Sequence, residues 1–132
     1  MTATRLLAAG AATLALAGCS DTCGNTEISR AASPDGRSEA VVFERDCGAT
    51  TGSSAQVSVV DPGEIPEYVG NAFRSDGDAG HAGTKARSSS AVEAQWLSSG
   101  ALVVRYASAL RIFSKEPDVH GVRITYQPTE QR

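Results

Sequence analysis

Val92-Glu93-Ala94-Gln95-Trp96-Leu97-Ser98-Ser99-Gly100-Ala101-Leu102-Val103-Val104-Arg105-Tyr106-Ala107 is the stretch that decides the fold. In its first half Val92, Ala94 and Trp96 alternate with Glu93 and Gln95. In its second half Leu102, Val104 and Tyr106 alternate with Val103 and Arg105. A period of two places every second side chain on one side of an extended backbone, so each half predicts a strand covered on one face and wet on the other. Ser98-Ser99-Gly100 supplies the small residues of a tight loop between them. The spacing predicts an antiparallel hairpin pairing 91–97 with 101–107.

The same period recurs outward from this hairpin. Ala55, Val57 and Val59 oppose Gln56 and Ser58, and Val122, Ile124 and Tyr126 oppose Arg123 and Thr125. Within Ser38–Asp46, Val41 and Phe43 alternate with Ala40, Val42 and Glu44. Ser33-Pro34-Asp35-Gly36 reads as a turn: proline presets one torsion, aspartate accepts local backbone bonds and glycine takes the left-handed position. It joins a short strand at 27–31 to the longer one at 38–46. Two more short strands are expected at 71–74 and 110–113. No segment after residue 18 carries the apolar spacing of an amphipathic helix. The expected fold is all-β, a small antiparallel sheet or sandwich over residues 27–127, with a tail at 128–132. Its core is predicted to be Val41, Phe43, Val57, Val59, Val92, Trp96, Leu102, Val104, Tyr106, Val122, Ile124 and Tyr126. Residues 62–90, rich in Gly, Asp, Ser and Ala, form an irregular loop whose second half, 76–90, has almost nothing to bury.

Ahead of these strands lies a different pattern. Arg5 is followed by twelve Ala, Leu, Gly and Thr residues, Leu6 to Ala17, fewer than the ~20 that span a bilayer as a helix. The run closes on Leu16-Ala17-Gly18-Cys19, which resembles the lipobox of bacterial lipoproteins. That resemblance implies a signal peptide at 1–18, cleaved before Cys19, and a lipidated tether at 19–26. Cys19 would carry a diacylglycerol thioether, usually with a third acyl chain on its amine. Two or three chains make a stable anchor where one is marginal. The resemblance thus implies the bacterial cell envelope as location and the membrane as a partner through acyl chains. Ser20 in place of aspartate points to the outer membrane, facing the periplasm, in a Gram-negative cell.

Removing 18 of the 132 residues leaves a length suited to one domain, with 11 basic and 15 acidic side chains. No basic run or patch of the kind that binds nucleic acid is present. Setting Cys19 aside leaves Cys23 and Cys47, an even pair in an oxidising compartment, which predicts a disulfide stapling the domain.

Arg45-Asp46-Cys47-Gly48-Ala49-Thr50-Thr51-Gly52, preceded by the Ser33–Gly36 turn, resembles a motif of small bacterial proteins that are often lipoproteins and have no assigned activity. The resemblance runs from Ser33 to about Val60 and implies a shared fold. Two readings of the motif stand: a structural corner pinned by the disulfide, or a polar ligand site built from Asp46, Thr50 and Thr51. No G-x-S-x-G elbow occurs. Asp76-Gly77-Asp78 lacks the remaining acidic ligands of a calcium loop, and His81 and His120 are single histidines in separate segments. No catalytic residue, metal or cofactor is therefore expected. The leading expectation is a non-catalytic envelope module that contacts another protein or a cell-wall component. The alternative is a small-ligand binder or hydrolase using Asp46, Thr50 and Thr51.

Overall fold

The computed structural model describes residues 22–48, 52–75 and 91–130. These residues form nine strands and no helix: β1 (Gly24–Ala32), β2 (Glu39–Asp46), β3 (Ser54–Val60), β4 (Phe73–Ser75), β5 (Val92–Ser98), β6 (Ala101–Ala107), β7 (Ile112–Lys115), β8 (Asp118–Val119) and β9 (Val122–Thr129). They assemble into two sheets, one ordered β1-β2-β3-β4-β7 and the other β5-β6-β9-β8, packed face to face as a sandwich. The first strand starts at Gly24, within the stretch expected to be tether, and the last reaches Thr129, within the expected tail.

The hairpin that opened the sequence reading is present, with β5 antiparallel to β6 and Val92 opposite Tyr106. The Ser33–Gly36 turn also forms as its residues dictate. Gly36 has a φ of 70° and donates its N–H to the Ser33 carbonyl at 2.8 Å, while the Ser33 hydroxyl donates to Asp35 Oδ1 at 2.7 Å. Asp35 Oδ1 also accepts the Arg37 N–H at 3.1 Å. The Asp35 N–H donates to Ser99 Oγ at 3.1 Å, so the turn of one sheet is fastened to the hairpin loop of the other.

Between the sheets lie Ala40, Val42, Val57, Val59 and Phe73 from one side and Val92, Leu102, Val104, Tyr106 and Ile124 from the other. Phe73 is fully buried, its ring 5.5 Å from that of Tyr106 and 6.1 Å from that of Tyr126. Burial of each such side chain contributes ~1.5–3 kcal/mol. The sequence expectation placed Trp96 and Tyr126 inside this core, and both instead sit half-buried at its margin because each has a polar end to satisfy. The Trp96 indole N–H donates to the Ala31 carbonyl at 2.8 Å, tying β5 to β1. The Tyr126 hydroxyl lies 2.7 Å from the Glu116 carbonyl and 2.8 Å from that of Ala72, its one hydrogen shared between them. Burial pushes that phenol up to about 12.

One expectation is corrected. The sandwich is not antiparallel throughout: β6 and β9 run parallel, Leu102 beside Ile124 and Val104 beside Tyr126. After β6 the chain crosses to the other sheet, adds β7 there, and returns, which is the kind of long connection a parallel pair requires. Val41 and Phe43 are buried, as the sequence predicts, but not between the sheets. They face away from the sandwich interior and form a separate cluster with Val60, while their neighbours Ala40 and Val42 fill the space between the sheets.

Cys23 and Cys47 are joined as a disulfide across the open end of the β1–β2 hairpin, next to the Gly24–Asp46 pair. It closes a loop of about 25 residues, for which the chain-entropy model gives ~3.5 kcal/mol. Replacing both cysteines with alanine is expected to lower unfolding free energy by about that amount, read from urea denaturation with an unchanged far-ultraviolet dichroism spectrum.

Candidate functional site

The outward face of the five-stranded sheet carries the second apolar cluster, and a twelve-residue strap, 61–72, covers it. Val41, Phe43 and Val60 are buried on this face together with Arg45, Gln56 and Ser58. Buried polar groups need partners, and the strap and β1 supply them. Gln56 Oε1 accepts the Gly70 N–H at 2.6 Å, Ser58 Oγ accepts the Asn71 N–H at 3.1 Å, and Arg45 Nη1 donates to Asn25 Oδ1 at 2.8 Å. Asn71 behaves like a missing strand partner: its side-chain oxygen accepts the Val59 N–H and its amide nitrogen donates to the Val59 carbonyl, each at 2.8 Å. At the other end of the strap the Asn25 amide donates to the Pro66 carbonyl at 2.9 Å and the Tyr68 carbonyl at 2.8 Å.

Gly70 is where the strap comes closest to the sheet. A Cβ built there would lie 2.7 Å from the carbonyl oxygens of both Phe73 and Val57. Gly70 is thus a requirement of close backbone approach, not of an unusual torsion.

Charged groups fasten the strap's first half. Arg30 bonds Glu27 through Nε and Nη2, pairs with Glu39 through Nη1, and donates to the Glu64 carbonyl at 3.0 Å. Glu39 also accepts the Gly63 N–H at 3.2 Å. The hydrogen bonds from Arg30 hold the Glu27 and Glu39 carboxyls below their ordinary 4.5, with the Gly63 N–H adding to the effect at Glu39. Asp35 is likewise lowered, first by the Ser33 hydroxyl and then by the Arg37 amide.

What the strap shows to solvent differs from what it covers. Ile65 is 71% exposed, Tyr68 71% and Val69 50%, beside a pocket of about 180 Å³ between the strap and Val60. Glu64 and Glu67 flank these apolar side chains. The arrangement is an apolar ridge with an acidic border on a backbone held at both ends.

Of the residues singled out from sequence, Asp46 is exposed and its Oδ1 accepts the Gly48 N–H at 2.9 Å, closing the turn in which Gly48 has a φ of 119°. Its companions Thr50 and Thr51 lie outside the described residues, as do Cys19, His81 and the 76–90 part of the long loop. His120 is exposed in the two-residue turn between β8 and β9, where His120 and Gly121 have φ of 50° and 78°. Positive φ at both central positions is the geometry that matches the twist of a tight hairpin. Among the described residues no three His, Cys, Asp or Glu converge as metal ligands.

The strap itself was missed by sequence reasoning, which took 62–90 as one irregular loop. Its first third carries Ile65, Tyr68 and Val69, an apolar content that separates it from 76–90. Compared with known proteins, the chain matches no family model, no curated sequence and no solved structure.

Two outcomes test this description. Gly70→Ala is expected to cost about 1–3 kcal/mol, since backbone oxygens on both sides must move, and to raise hydrogen exchange at Asn71 and Val59. Acid should weaken the fold with a definite sign. Glu27, Asp35 and Glu39 have depressed values when folded, so their contribution is complete above the ordinary carboxylate range and is lost as pH falls through their folded values. Urea midpoints measured across pH should therefore decline below about 4.5, less steeply in Glu39→Gln.

Proposed function

We propose that this chain is a lipid-anchored protein of the bacterial cell envelope, that its β-sandwich is a non-catalytic interaction module, and that the strap 61–72 is its contact surface. The observation that carries the reading is the display of Ile65, Tyr68 and Val69 on backbone already hydrogen-bonded to the sheet beneath. Large exposed apolar side chains gathered in one place mark contact sites more often than they mark chance exposure. A surface held in one conformation loses little entropy on binding, and tyrosine is prominent among residues that anchor interfaces.

The lipobox resemblance supplies the location. Cys23 lies four positions after Cys19, a reach of at most ~14 Å for extended chain. Asn25, two residues beyond the disulfide, is the residue that holds Pro66 and Tyr68. A tether this short keeps the strap close to the membrane surface, which suits a partner that is itself membrane-bound or lies in the adjoining cell wall.

Cys19→Ala is expected to move the protein from the membrane fraction to the soluble fraction; retention in the membrane would contradict the anchor. For the contact surface, the double variant Ile65→Ser, Tyr68→Ser should abolish crosslinking to its partner in intact cells while leaving the unfolding free energy within the small range of surface substitutions, about ±0.5 kcal/mol. Leu97→Ser removes an equally exposed apolar side chain from the other sheet and should leave crosslinking unchanged. Loss of crosslinking in both variants, or in neither, would contradict the assignment of the strap.

A further inference from the structure

Arg74 stands on β4 directly across from Ser114 of β7. Its Nε is buried and has no hydrogen-bond partner, the one such side-chain atom among the described residues. The guanidinium carbon lies 5.4 Å from the centre of the Phe113 ring, and Phe113 is 75% exposed. A buried donor without an acceptor destabilises the fold, and more so when it is charged. The other buried polar side chains of the outward face have partners on the strap, on β1 or along β3, so the exception at Arg74 needs a reason.

Beside Arg74 a cleft of about 440 Å³ opens between the end of the strap, at Val69 to Asn71, and the segment from Ser114 to His120. Its volume lies within the ~300–1,000 Å³ of small-molecule sites. Glu116 and Asp118 line the same cleft, and among the described residues neither is in an ion pair. Glu116 Oε1 accepts the Ser114 hydroxyl at 3.2 Å, which places that carboxylate on the side of the sheet that carries Arg74. Asp118 faces Arg123 across the β8–β9 pair.

A simple anion would be attracted by Arg74 and repelled by the two carboxylates, and a simple cation would meet the reverse. A molecule carrying both charges satisfies all three. A guanidinium presents a planar fork of donors matched to a carboxylate, and a carboxylate accepts the donors of an ammonium group. We propose that this cleft binds a zwitterionic ligand of the amino-acid or short-peptide class, its carboxylate on Arg74 and its ammonium on Glu116. The cleft adjoins the apolar ridge at Val69 but uses neither Ile65 nor Tyr68, and the proposal stands or falls without the ridge.

Titration of the isotope-labelled full chain with alanyl-alanine, followed by nuclear magnetic resonance, tests the proposal, with acetate and methylammonium as singly charged controls. The dipeptide should produce saturable shifts at Arg74 Nε–H and at the amides of Gly70 and Ser114, with both controls about tenfold weaker or more. Arg74→Gln should abolish the shifts without lowering the thermal midpoint, and Glu116→Gln should weaken them about tenfold. Absence of saturable shifts overturns the proposal. Acetate binding as tightly as the dipeptide, and more tightly still in Glu116→Gln, replaces it with a plain anion site. Equal destabilisation by the two variants without ligand binding assigns Arg74 and Glu116 to a structural ion pair and likewise overturns it.

Discussion

A strand that is dry on both sides leaves no room for an unpartnered amide, hydroxyl or guanidinium, and β2 and β3 are dry on both sides. Their inner face meets the second sheet; their outer face meets the strap. The apolar part of that outer burial is small, only Val41, Phe43 and Val60. The polar part is what demands a specific covering chain. Gln56, Ser58 and Arg45 each need a partner in a particular place, and Gly70, Asn71 and the carbonyl of Glu67 provide it. Position and conformation of the strap therefore follow from hydrogen-bond satisfaction more than from apolar area. The exposed ridge at Ile65 and Tyr68 inherits its rigidity from those bonds beneath it.

Alternation in the sequence carried the strands but not their surroundings. The β5–β6 hairpin was legible because both partners and the loop between them sit in one short stretch. The Ser33–Gly36 turn was legible because each of its residues has a local conformational reason to be there. For β2 the period of two is legible and Val41 and Phe43 are buried as expected, but Ala40 and Val42 on the opposite side are buried as well. Alternation does not say which of two dry faces meets the second sheet and which meets the strap. Phe73, at the heart of the core, lies in a three-residue strand too short to show a period at all.

Strand direction was beyond the reach of periodicity for a related reason. Alternation states which side a residue faces and is silent on whether its neighbour runs up or down. The parallel β6–β9 pair depends on a crossover through the opposite sheet, and nothing local to Val122–Tyr126 encodes it. The candidate site divides in the same way. Asp46 stands out in the sequence because it belongs to a compact motif, and in the fold its carboxylate closes the Gly48 turn. The strap and the Arg74 cleft are assembled from segments far apart in sequence, so each of their residues reads as ordinary until the fold brings them together.

The β1–β2 hairpin is closed at one end by the Ser33–Gly36 turn and at the other by the Cys23–Cys47 bond. It is in effect a covalent ring, and β1, an edge strand, is half of it. An edge strand that can peel away is the usual starting point for exchange between neighbouring copies and for fibril growth. A ring cannot lend one of its sides to a neighbour without breaking sulfur–sulfur chemistry first.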